Sequence, residues 1–466
     1  MSRRILLGLF LLALVACNGY PFSRRSATPT RQTPFSLTPS LSVTSTFAAS
    51  QGEEKGQSVA LEATSTLPQI VPLRIWLPPQ FDPAADTPAG RLLRQRLKEF
   101  ELQHPGAKIE VRLKAVNGPG GVLDTMTTAS SAAPQALPDL VALPRSTLET
   151  AALKGLLRAY DPASLEDSDW YGYARQLANV ENSIFGLPFA GDALIMVYRP
   201  SAAGSQPPRS WSDLLKLGLP LAFPVADPQA LFPLMLYRSA GGALQDDRGH
   251  PMLDPKVLTQ VFTFTLSAEQ SGIMPNWLTL YDTYDQTWNI YAEGKTPLAV
   301  AWISRYLGAL SDASIKTPSL PATPLSTTPL PPTPVMSEQA AALLPTPDGQ
   351  PYIEATGWVW AIASPSPERQ RLAVQLADFL TRGDFLTSWC PAAGYLPVRA
   401  SALDGFQDQA LRTLIGQLVS SARIYPSADL LATISPALEH STLEAFKLQL
   451  DPASAAQQAA QLLASP

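Results

Sequence analysis

Two cysteines, Cys17 and Cys390, are all that the 466-residue sequence contains. They cannot supply a disulfide framework, so the folded part must be held by core burial. Cys390 sits in "TSWCPAAGYLP" with no Cys or His at ligand spacing and reads as a small buried hydrophobe. The three histidines, His104, His250 and His440, stand alone. That excludes the usual transition-metal patterns, and no metal or cofactor is expected. No GxxxxGK[ST], GxGxxG or GxSxG occurs, which removes phosphate cradling, dinucleotide binding and an elbow serine. Charged residues make up only 16% of the chain and the net charge is -5, without a basic block, so nucleic acid is not an expected partner.

What is present begins at the N-terminus. Arg3 and Arg4 precede an apolar run from Ile5 to Val15 and a small Ala16. This is the pattern of a secretory signal, and the run is too short to stay in a bilayer as a spanning helix. Closed by "LVAC", it resembles the lipobox of bacterial lipoproteins, which implies cleavage after residue 16 and acylation of Cys17 as the new N-terminus. A plain signal peptide with an incidental cysteine is the alternative. Multiple acyl chains would hold a soluble body at the membrane surface, on the extracytoplasmic side.

Residues 17–69 are rich in Ser, Thr, Pro and Ala and lack apolar periodicity, the composition of a disordered tether. A second Pro/Thr-rich stretch, 313–337, reads as an exposed insertion. Elsewhere strand and helix patterns alternate: "PLRIWLP", then a helix over 89–103 stopped by Pro105 and Gly106, then "AKIEVRLK", "PDLVALP" and a following helix. That alternation predicts α/β layers around a parallel sheet. "GLPFAGDALIMVYR" reads as a turn-punctuated pair of strands, and "TPLAVAW" and "GWVWAIAS" as two later strands.

The aromatic residues are the most informative chemistry. Trp277, Tyr281, Tyr284, Trp288 and Tyr291 recur at helical spacing, with Asp282 and Asp285 beside them. They form either a core-facing stripe or a stripe whose end reaches a cleft, where rings stack on sugar faces and carboxylates accept from hydroxyls. The acidic pairs Asp246/Asp247 and Asp282/Asp285 leave open a glycan-degrading enzyme, but their separation in space is not readable.

Taken in order, "RIWLP", "LKEFELQHPGAKIEV", "PDLVALPRSTLETAALKGLL", "IFGLPFAGDALIMVYR", "WSDLL", "AEGKTPLAVAWISRY", "GWVWAIAS" and "FLTSWCPAAGYLPVRASAL" resemble extracellular solute-binding proteins of the maltose-binding type, the receptors of ABC importers. The resemblance implies a two-lobe periplasmic-binding-protein-like α/β fold with discontinuous lobes, hinge strands and a ligand cleft between them. Lobe 1 would comprise 70–189 and 357–404, and lobe 2 would comprise 190–356 and 405–466. It also implies a monomeric, non-enzymatic receptor that closes on a small molecule, foremost a sugar, and delivers it to a membrane permease. A sensor without a transport role remains the other receptor reading. Carried over by motif, the ligand-binding positions are Trp76, Arg145, Ser146, Asp192, Trp302, Ser304 and Arg305. Tyr284 and Trp288 join them from the aromatic stripe. "LPPQF" stands where the family often has polar groups, so the ligand's identity stays open.

Overall fold

The computed structural model describes residues 71–316, 339–447 and 450–464. The expected signal peptide, Cys17, the tether and residues 317–337 of the expected insertion lie outside the described residues. Residues 313–316 are the last turn of a helix, Ile303–Lys316. No helix among the described residues is long and apolar enough to cross a membrane.

The strands are β1 (Val71–Leu77), β2 (Ala107–Leu113), β3 (Leu140–Pro144), β4 (Asn179–Val180), β5 (Ser183–Ile184), β6 (Leu187–Tyr198), β7 (Leu221–Ala222), β8 (Leu298–Trp302), β9 (Ala340–Ala342), β10 (Glu354–Ile362) and β11 (Arg423–Ile424). β4 and β5 form a separate hairpin. The rest make one mixed sheet in the order β2-β1-β3-β10-β6-β8-β7, with β11 added to β10 and β9 to β6.

Local chemistry explains the first layer. The helix Pro88–Gln103 starts with proline at its first position and a Thr87 side chain that accepts from the Gly90 N–H. The proline removes one of the N–H groups that a helix start leaves free, and Thr87 satisfies another. Leu93, Leu97 and Phe100 point inward, and the chain leaves the helix at His104, whose ring stacks on Phe100 at 4.1 Å. β1 and β2 then pair in parallel along their full length, β2 being the sheet edge with Leu113 44% exposed.

Two sequence expectations are corrected. The stretch 186–199 is not a pair of strands with a turn; its core is one continuous twelve-residue strand, β6. Gly191 is small because the neighbours demand it: a Cβ there would lie 2.2 Å from the Tyr173 hydroxyl oxygen. This is a close-approach glycine and not a turn glycine. Nor does the aromatic stripe lie on one helix. A short 3₁₀ turn, Asn276–Leu280, gives way to extended backbone at Tyr281, and a new helix, Tyr284–Ala292, begins there. Thr283 and Gln286 form the reciprocal capping box that starts it, the T-x-x-Q signature being present in "TYDQ". Trp277, left 37% exposed, meets Tyr281 edge-on instead.

β6 carries the architecture. Its residues 187–193 pair with β10 and its residues 194–198 with β8 and β9. Helices Pro88–Gln103, Arg145–Leu153, Pro367–Leu380 and Gly383–Ala393 gather around the first half of the sheet. Helices Leu231–Ser239, Pro255–Gln270, Ala428–Phe446 and Pro452–Ala464 pack on one another beyond the second half. Cys390 is fully buried in the first group, and that burial pushes its thiol up in pKa, away from reactivity.

Candidate functional site

Strand direction locates the site. β3 runs parallel to β6 through β10 and ends at Pro144, level with Trp358 and so with Ala190 of β6. β8 runs the opposite way and ends at Trp302, level with Leu194. Two sets of strands therefore point their carboxyl ends at each other across residues 190–194. Ligands of open α/β sheets bind outside such carboxyl ends.

Register then sorts the side chains. Residues paired across strands share a face, as do alternate residues along one strand. Asp192 pairs with Thr356, Leu194 with Trp302 and Glu354 with Arg423. Asp192, Trp302, Thr356 and Glu354 thus lie on one face, extended by Tyr425, whose N–H donates to the Ala355 carbonyl at 3.1 Å. Half-buried Trp302 is held edge-on by Tyr284 (5.9 Å) and Tyr425 (6.3 Å). The aromatic faces form a small three-ring cluster at the end of β8.

Polar groups surround this cluster. Asp192 accepts from the Ser304 N–H at 3.1 Å, the Ser304 hydroxyl at 2.6 Å and the Ala193 N–H at 3.0 Å. Burial nonetheless raises its pKa to about 7, the three donors offsetting only part of the lost hydration. Glu354, 3% exposed, accepts from Tyr352 (2.8 Å) and Arg238 (3.3 Å) on one oxygen, and burial raises its pKa too. Its other oxygen and the Tyr425 hydroxyl are buried without a protein partner. Asp227 accepts from the N–H groups of Gln229 and Leu231, ahead of and at the start of helix Leu231–Ser239. Burial, together with the carboxylates of Glu354, Asp227 and Asp192, drives the Tyr425 hydroxyl well above its usual pKa.

The opposing edge is apolar. Trp76 is 3% exposed, with the Lys114 ammonium 5.0 Å over its ring. Phe81 meets half-buried Trp358 edge-on at 5.0 Å, and Tyr395 stacks parallel to Trp389. Trp76, Pro78, Pro144 and Trp358 line a slot too tight for a water molecule in this arrangement.

Of the expected positions, Asp192, Tyr284, Trp302 and Ser304 come together, with Trp76 on the facing edge. The others go elsewhere. Arg145 donates to the carbonyls of Gln176, Leu177 and Asn179 and to Glu149. Ser146 is exposed at the start of the helix. Trp288, 2% exposed, packs on Tyr291, and Arg305 reaches Asp285 at 3.7 Å on the surface. Sequence reasoning missed Tyr425, Glu354 and Asp227. Tyr425 in "RIYPS" is a lone aromatic that carries no periodic signal, and only sheet register reveals it.

Asp282 and Asp285 are both exposed, so no enclosed carboxylate couple is formed by that pair. Among the described residues no group of three or more His, Cys, Asp or Glu is placed to hold a metal. A groove of about 720 Å³ has Arg145, Arg175, Asn179 and Ile424 in its lining and no aromatic ring.

The family model of bacterial extracellular solute-binding proteins matches residues 95–413. No curated protein sequence matches the chain. Among solved structures, a maltose-bound protein of T. maritima is 19% identical with a TM-score of 0.63, covering 84% of this chain and 99% of its own. The sugar-binding protein MalE of Xanthomonas citri is 16% identical with a TM-score of 0.67, covering 84% and 98%. A solute-binding protein of Thermotoga lettingae bound with α-D-tagatose is 20% identical with a TM-score of 0.62, also covering 84% and 98%. At these identities the likeness shows the fold, the mixed α/β fold of solute-binding proteins.

Proposed function

Because the chain belongs to the bacterial extracellular solute-binding proteins, we propose that it is the ligand-capturing component of an ABC importer and that its ligand is a carbohydrate. An extracytoplasmic location follows from the family, and a membrane permease is the implied partner. The single observation that carries the ligand class is the Tyr284–Trp302–Tyr425 cluster beside Asp192, where flat rings and buried acceptors converge at the meeting of the strand ends. Rings of this kind stack on sugar faces while the carboxylates accept from hydroxyls. The related structures with maltose and tagatose support the same class.

In this reading the lobes are 70–189 with 357–404 and 190–356 with 405–466, and they close on the guest by bending where β6 changes partners. Closure requires a ligand that binds the closed arrangement better than the open one. Calorimetry of the full chain against mono- and oligosaccharides, polyols, amino acids and peptides is expected to give heat with at least one saccharide. Heat only with amino acids or peptides, or with nothing, removes the carbohydrate reading.

Cys17 is proposed as the acylated N-terminus that tethers the receptor to the membrane. Fatty-acid labelling in a bacterial host is expected to mark the protein and to vanish in Cys17→Ser. Retained label in that variant, or none in the unaltered chain, argues for a plain cleaved signal.

A further inference from the structure

Arg145 was expected to touch ligand, but its surroundings give it different work. The guanidinium is mostly buried. Its Nη1 donates to the carbonyl oxygens of Gln176 (2.7 Å), Leu177 (2.8 Å) and Asn179 (2.5 Å), which end the helix Gly172–Leu177. A cation is favoured at that negative helix end. Nε and Nη2 both donate to Glu149, at 2.8 and 2.6 Å. Burial lowers the Arg145 pKa, and Glu149 opposes that shift.

Glu149 is itself only 4% exposed. Its second carboxylate oxygen accepts from the Ala428 N–H at 2.6 Å, the first N–H of the helix Ala428–Phe446. The two ends of this bond belong to different halves. Helix Arg145–Leu153 packs on β3 and β10, while helix Ala428–Phe446 packs on helices Leu231–Ser239, Pro255–Gln270 and Pro452–Ala464. The helix has its own cap, Ser427, whose hydroxyl accepts from the Leu430 N–H. It does not need Glu149 to form. A buried carboxylate placed on the positive end of a nineteen-residue helix from the opposite half is an electrostatic clasp.

We infer that Arg145 and Glu149 are positioning residues that set ligand affinity without touching ligand, by holding the half that contains β3 against the half that contains Ala428. The inference rests on the closing-receptor reading above. Arg145 fixes the carboxylate; the carboxylate fixes the helix; the helix belongs to the group that packs beyond Trp302. Separation of the halves takes Ala428 away from Glu149 and exchanges a charge-assisted bond to a helix N-terminus for contact with water, which favours the joined arrangement.

The experiment measures the arrangement directly. Spin labels at Leu102→Cys and Leu462→Cys, two exposed positions on opposite halves, are placed in a Cys17→Ser background, and the distance distribution is read without ligand. Glu149→Gln and Glu149→Ala weaken the clasp from one side. Ala428→Pro deletes the donor from the other, at a first helical position where proline is tolerated. The preceding Ser427 already has extended backbone (ψ 153°), as a residue before proline requires.

Each variant is expected to broaden the distribution toward longer distances and to weaken the saccharide found by calorimetry by on the order of tenfold. Glu149→Gln combined with Ala428→Pro is expected to do no more than either alone, because both delete the same bond. Circular dichroism verifies that each variant folds, and Ala428→Pro carries the test should the Glu149 variants not fold. Distances identical to the unaltered chain, or additive effects in the double variant, overturn the inference. If no saccharide binds at all, the carbohydrate reading fails while the distance measurement still decides on the clasp.

Discussion

Trp302→Ala is expected to weaken binding of the saccharide proposed above by about 30- to 100-fold, the equivalent of roughly 2–3 kcal/mol for losing a buried aromatic anchor. Trp302 closes β8, faces the same side as Asp192, and is wedged between Tyr284 and Tyr425. Its orientation is therefore fixed before ligand arrives, and little ordering entropy is left to lose on binding. Because the ring is only half-buried, its removal should leave the fold intact, with an unchanged far-ultraviolet spectrum. Trp302→Phe is expected to recover part of the affinity, since a smaller ring still offers a face. Calorimetry at matched protein concentration reads both variants. An alanine variant that binds within threefold of the parent would place the ligand elsewhere in the molecule.

The second large effect concerns stability and pH. Asp192 titrates near 7 in the folded chain, raised by burial from an ordinary value of 3.8. Between those two values the folded state holds a proton that the unfolded state has released. Stability therefore falls as pH rises from about 4 to 7, and the loss is complete above 7. About 2–4 kcal/mol is at stake from this one group. Asp192→Asn keeps an oxygen for the Ser304 N–H and turns the second contact around, its amide donating to the Ser304 hydroxyl. The variant is expected to be more stable than the parent at pH 8, equal or slightly weaker at pH 4.5, and to lack this pH slope. Urea unfolding at the two pH values measures it. Parallel pH slopes in parent and variant would show that Asp192 is ionised in both states and solvated well enough not to matter.

Much of this architecture was legible from residues alone, for reasons that are local. Proline and Thr87 announce the helix Pro88–Gln103, and "HPG" announces its end. β3 and β10 are apolar runs of strand length, as strands buried on both faces must be. The failures arose where a local signal had a long-range cause. The stretch 186–199 read as two strands with a turn, whereas its Gly191 is there because Tyr173, eighteen positions earlier, occupies the space of the missing side chain. The aromatic spacing of 277–291 looked like one helix although "TYDQ" already carried the start signal for a second. Trp302, Ser304 and Asp192 could be brought together by resemblance, but Tyr425 and Glu354 joined them only through the pairing of β10 with β11. Arg145 was carried over by motif as a ligand contact, and its guanidinium is spent on backbone carbonyls and Glu149.

The position of β10 in the sheet has a consequence for biosynthesis. It lies between β3 and β6, yet it is the last of the three to leave the ribosome, after β7, β8 and β9 and the long stretch that joins them. Until residues 354–362 emerge, β3 and β6 each present a bare edge with unpaired N–H and C=O groups, the template on which chains stick to one another. Nascent chains truncated before residue 354 should thus remain protease-sensitive and chaperone-bound, and the few residues that complete the ladder should mark the moment when the receptor becomes self-sufficient.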